Sequence, residues 1–102
     1  MAGSVRAFPT YYSPIGSQKL TVDTVVGLTL PATPQTRAVQ ISVEGYNIRF
    51  QVDGTTPDST TGHLLYVTDV LELTNVNAIN NLKMIKVTSA ATVQISYYGG
   101  GV

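Results

Sequence analysis

Over most of this chain, apolar residues recur at every second position rather than at helical spacing. Residues 37–43 place Val39, Ile41 and Val43 on one side and Ala38, Gln40 and Ser42 on the other. Residues 47–52 repeat the pattern, with Ile48, Phe50 and Val52 against Asn47, Arg49 and Gln51. Residues 92–97 do so again, with Val93, Ile95 and Tyr97 against Thr92, Gln94 and Ser96. Successive side chains of a strand point to opposite faces, so each run predicts a strand with one buried face. Glu44, Gly45 and Tyr46 supply a turn or bulge between the first two runs, which makes a hairpin the simplest connection.

The weaker segments favour β structure as well. Residues 20–30 are rich in β-branched side chains and predict one strand broken at Gly27, or two short ones, ended by Pro31 and Pro34. Residues 63–67 and 70–74 flank Thr68 and Asp69 and predict a second hairpin, and residues 83–87 predict a short strand before a turn at Ser89, Ala90 and Ala91. Only residues 77–82 suggest a helical turn, with Ile79 and Leu82 three apart, and so short a stretch predicts a loop or one 3₁₀ turn. Residues 1–18 show no period, and Pro9 and Pro14 hold them extended. They predict an N-terminal arm lying along its own domain or on a neighbouring subunit. Residues 19–102 then form a single all-β domain of about seven or eight short strands, a β-sandwich of jelly-roll-like form or a small barrel.

Composition adds a constraint on the surface. Charged residues make up 12% of the 102 positions, about half of the roughly 25% usual in soluble proteins, so Thr, Ser, Asn, Gln and Gly must cover the exterior. Six basic residues balance six acidic ones, and a net charge of zero removes the repulsion that keeps copies apart. A homo-oligomer is the natural expectation, and an inert neutral surface is the alternative. The basic residues Arg6, Lys19, Arg37, Arg49, Lys83 and Lys86 are dispersed and form no footprint for nucleic acid. No apolar run approaches the roughly 20 residues of a membrane span, and residues 1–13 lack the basic start and apolar stretch of a leader, so synthesis in the cytoplasm is expected. Without cysteine the chain has neither a disulfide framework nor a thiolate metal site.

Candidate chemistry is sparse. His63 is the single histidine, and no nucleophile-elbow sequence accompanies it. The loop at residues 53–62 holds Asp53, Asp58 and several hydroxyls, but its spacing departs from that of a calcium-binding EF-hand. Asp53 with Gly54, then Pro57 and Gly62, suit a tight turn and a fixed loop instead. Asp23, Glu44, Asp53, Asp58, Asp69 and Glu72 would make a hydrolytic pair only by converging in space, and no tryptophan platform for sugar accompanies them. The expectation is therefore a protein that is not an enzyme, with no catalytic residue, no metal ligand and no cofactor. The tyrosines stand in two pairs, Tyr11 with Tyr12 and Tyr97 with Tyr98. Alternation buries one of Tyr97 and Tyr98 and exposes the other. An exposed tyrosine anchors a protein interface or stacks on a sugar ring. Phe8, Tyr11, Tyr12 and Tyr98 are the candidate interface residues.

One run resembles a known group. Glu44, then Ile48-Arg49-Phe50, then Asp53-Gly54-Thr55 with Pro57, and the closing Thr60-Thr61-Gly62-His63 are similar to a pattern in small virion structural proteins of tailed bacteriophages. The tyrosine-rich final strand at residues 93–98 is similar too. The resemblance spans residues 39–98 and leaves the N-terminal arm outside. It implies a jelly-roll or sandwich subunit located in the virion, either a capsid decoration or cement protein bound to the major capsid protein, or a component of the neck, tail or fibre. A carbohydrate-binding module for host recognition, with exposed tyrosines stacking on sugars, is the alternative from another class.

Overall fold

A computed structural model describes residues 12–28 and 36–100 of the chain. Seven strands and one short helix are assigned among them: β1 (Tyr12–Val22), β2 (Thr36–Glu44), β3 (Ile48–Gln51), β4 (His63–Leu65), β5 (Val70–Leu73), α1 (Val76–Asn81), β6 (Lys83–Lys86) and β7 (Ala91–Gly100). The strands form two antiparallel sheets, one in the order β1-β7-β2-β5 and one in the order β4-β3-β6. The all-β expectation holds at this level.

The alternation read from the sequence explains the core. Val39, Ile41 and Val43 of β2, Val93, Ile95 and Tyr97 of β7, and Ile48 of β3 are all buried, and they join Val22, Leu65, Met84 and Ala91 in one cluster contributed by both sheets. Phe50 and Val52 are partly buried against it. Ala38, expected to face outward, is fully buried. Its Cα partner on β7 is Tyr98.

Four expectations need correction. Residues 12–18, expected to belong to the arm, are the first part of β1, which pairs along its length with β7 from Tyr12 opposite Gly100 to Val22 opposite Ala91. Pro14 does not prevent this, because β1 is an edge strand and the register shifts between Pro14 and Gly16. The rest of the expected arm, residues 1–11, lies outside the described residues. The segment at residues 20–30, expected as one strand broken at Gly27 or as two short ones, is continuous strand only to Val22. Beyond it, Val26 makes an isolated bridge to Met84 by two main-chain hydrogen bonds, and residues 29 and 30 lie outside the described residues.

Neither expected hairpin forms. β2 and β3 belong to different sheets, as do β4 and β5, so the chain arches over the core at residues 45–47 and again at 66–69. Alternation is the same for a hairpin and for an arch, since each brings an apolar face to the core. The deciding contacts are distant ones: Thr68 N–H donates to the Val43 carbonyl at 3.1 Å and Val67 N–H donates to Asn47 Oδ1 at 2.8 Å. The two arches therefore close the same end of the molecule and bind each other.

The last correction is α1, which is an α-helix and neither a loop nor a 3₁₀ turn. Asn75 caps it, its Oδ1 accepting from Asn77 N–H at 2.9 Å and Ala78 N–H at 3.2 Å. Six residues are too few to hold a helix alone, and the burial of Ile79 and of the following Leu82 ties the turn to the core. Among the described residues, no helix is long and apolar enough to cross a membrane.

Candidate functional site

The loop between β3 and β4, the most distinctive part of the sequence, is a self-contained structural device. The Asp53 carboxylate accepts from Thr55 N–H at 3.1 Å and from Thr55 Oγ1 at 2.6 Å. Asp58 does the same with Thr60, at 2.8 Å and 3.0 Å. Both carboxyls lie below the usual carboxylate range, because the threonine hydroxyl and amide in each case favour the ionised form. Pro57 is buried beneath the loop. Arg49 reaches back from β3 and donates through Nε to the Ser59 carbonyl at 3.1 Å and through Nη1 to the Gly62 carbonyl at 2.8 Å. Lys83 Nζ donates to the Gly54 carbonyl at 3.0 Å. Gly62 sits at φ 123°, and a Cβ there would come within 3.1 Å of both the Phe50 carbonyl and the Pro57 side chain. Only glycine fits this return into β4.

His63 opens β4 with an exposed side chain, its ring 5.4 Å from that of Phe50 at a tilt of 38°. Among the described residues, no three of His, Asp and Glu gather closely enough to hold a metal ion. Asp23 pairs with Lys86 at 2.5 Å, an exposed contact that adds little to stability.

Of the expected interface residues, Tyr12 and Tyr98 fall within the described structure, on the paired strands β1 and β7. Phe8 and Tyr11 lie outside it. Tyr12 begins β1, opposite Gly100. Tyr98 is half-buried on the outward side of β7, opposite Pro14 of β1 and Ala38 of β2. Tyr97 is the buried member of its pair, and its hydroxyl donates to Gln18 Oε1 at 2.6 Å. Burial pushes that phenol above its ordinary value of 10.0.

Two tyrosines not singled out in the sequence are the more exposed ones. Tyr46 is 51% and Tyr66 56% exposed, the largest values among the big apolar side chains described. Each stands on one of the two arches. Tyr46 N–H donates to the Glu44 carbonyl at 3.1 Å. Tyr66 is held in both directions by Asp69, donating its N–H to Oδ2 at 3.0 Å while its carbonyl accepts from Asp69 N–H at 3.0 Å. Between them Thr68 takes φ 76°, a left-handed conformation that a β-branched residue adopts at a cost of about 1–3 kcal/mol. The signal in the sequence was each tyrosine's position at a break in the alternation, where a large side chain has no strand neighbour to cover it.

The second surface feature is the outer face of the four-stranded sheet. Gln40 and Ser42 alternate with the buried side of β2, and Gln94 and Ser96 with that of β7. With Val70 of β5 they line a groove of ≈ 200 Å³. The lining holds amides, hydroxyls and one aliphatic side chain, with no charge. Searches against protein-family models, curated proteins and solved structures find no match to this chain.

Proposed function

We propose that this chain is a non-enzymatic structural subunit of a phage virion. In this reading it is a two-layer β-sandwich acting as a capsid decoration or cement protein, bound to the major capsid protein as a homo-oligomer. The observation that carries the reading is the pair Tyr46 and Tyr66, displayed on two arches that hydrogen-bond to each other. A tyrosine presents a large contact area with few rotatable bonds, so docking it costs little entropy. The backbone beneath both rings is already fixed, so association has no loop to order.

Two further facts support it. A net charge of zero lets copies approach without repulsion. The described residues span 41 × 32 × 18 Å, a slab suited to lying on a shell. Many modest contacts repeated over a lattice give avidity, so no single deep site is required. In this reading the segment ahead of β1, with Phe8 and Tyr11, and residues Tyr12 and Tyr98 of the paired strands β1 and β7 supply further contacts to a neighbouring subunit.

The test is co-sedimentation with purified heads of the virus that encodes the chain. The wild-type protein pellets with heads, and the double variant Tyr46→Ala/Tyr66→Ala binds at least about tenfold more weakly while its circular dichroism and melting are unchanged. Undiminished pelleting of the double variant overturns docking through the tyrosines. A virion map that places the chain only in the neck or tail overturns the decoration role.

A further inference from the structure

We propose that the groove on the outer face of the four-stranded sheet is a binding site for a neutral, hydroxyl-rich ligand, one pyranose unit of a glycan. The inference goes beyond the assembly role and uses none of the residues that carry it.

The register fixes the arrangement. Gln40 lies opposite Ser96 on β7 and opposite Glu72 on β5, and Ser42 lies opposite Gln94 on β7 and Val70 on β5. Amide and hydroxyl groups therefore form a chequered patch across three strands. Each hydroxyl both donates and accepts, and each amide carries a donor end and an acceptor end. A sugar hydroxyl has the same dual character, so adjacent hydroxyls of a ring find a partner of either kind without a charge being buried.

The alternatives fit less well. A phosphate or carboxylate needs a cation in the groove, and none of the lining residues is charged; Lys19 stands beside it on the edge strand, opposite Gln94. Glu72, which accepts from Gln40 Nε2 at 3.4 Å, sets a negative charge at the other side of the patch. An extended peptide gains its affinity from backbone pairing at a sheet edge, whereas this groove lies on the face. Val70 offers the aliphatic contact that the C–H side of a pyranose requires. All three strands belong to one hydrogen-bonded sheet, so the backbone positions that carry these side chains are fixed before the ligand arrives. A volume of ≈ 200 Å³ is below the roughly 300–1,000 Å³ of sites that engulf a drug-sized molecule, so the groove takes one ring of a chain and leaves its neighbours in solvent. Affinity for a single ring is then about millimolar, strengthened by multivalency on an assembled particle.

The experiment is an amide NMR titration of the whole chain with the methyl glycosides of glucose, galactose and mannose, and with sialic acid as an anionic control. Saturable shifts centred on Ser42, Val70, Gln94 and Ser96 are expected for at least one neutral glycoside, with none for sialic acid. The double variant Gln94→Ala/Ser96→Ala is expected to bind about tenfold more weakly, the equivalent of two neutral hydrogen bonds, with its remaining spectrum unchanged. Tyr46→Ala/Tyr66→Ala is expected to bind the glycoside normally, which separates this site from head attachment. Absence of shifts with all three neutral sugars overturns the proposal, as do shifts centred on Tyr46 and Tyr66 or equal binding of sialic acid in the groove.

Discussion

Asp53 and Asp58 show how individual residues hold this molecule's most recognisable loop. Each carboxylate accepts a threonine amide and hydroxyl, which stabilises the ionised form and lowers the pKa from 3.8. A carboxyl with a depressed folded pKa lends stability that is fully present above its unfolded pKa and is lost as pH falls through the folded value. The contribution of these two turns is therefore fully present at neutral pH and is lost progressively as pH falls below about 4. Carboxyl titration by NMR should give Asp53 and Asp58 midpoints below 3.8, with the amide shifts of Thr55 and Thr60 following the same curves. Midpoints at or above 3.8 would contradict the turn geometry. In each case the same bonds engage one carboxylate oxygen, Oδ1, with a threonine of the loop itself.

At the scale of elements, helix α1 exists because of its cap and its burial, not its length. Asn75→Ala removes the acceptor for two main-chain donors and should cost about 1 kcal/mol, read as a lowered denaturant midpoint with an unchanged slope. Serine at the same position should restore most of that loss. The strands themselves were readable from residue patterns, because Val39, Ile41, Val43, Val93, Ile95 and Tyr97 are all buried as their alternation requires. Their partners were not readable. A period of two is silent on whether the next strand lies beside its predecessor or across the core from it, and the bonds that choose between these, from Val67 to Asn47 and from Thr68 to Val43, join residues 20 or more positions apart. The exposed tyrosines were missed for the same reason: Tyr46 and Tyr66 become a pair only once the arches meet. The groove was half visible. Gln40, Ser42, Gln94 and Ser96 were assigned outward, but their adjacency depends on β7 lying beside β2.

At the scale of the whole molecule, both sheets draw on one core. Ile41 sits at its centre, fully buried on β2 with Leu71 and Ile95 as its Cα partners on either side. Ile41→Ala should destabilise the protein by about 2–5 kcal/mol. Because β3, β4 and β6 pack on the same cluster, far-UV circular dichroism and tyrosine fluorescence should report a single transition with a shared midpoint. Separate midpoints would mean that the two sheets unfold independently.

Strand β7 lies between β1 and β2 although it follows every other strand in the chain. During synthesis the larger sheet therefore cannot close until its last-made member leaves the ribosome. The apolar sides of β1 and β2 stay uncovered in the nascent polypeptide until then, an interval in which aggregation or chaperone capture competes with folding. Completion of the larger sheet is timed by the arrival of residues 91–100.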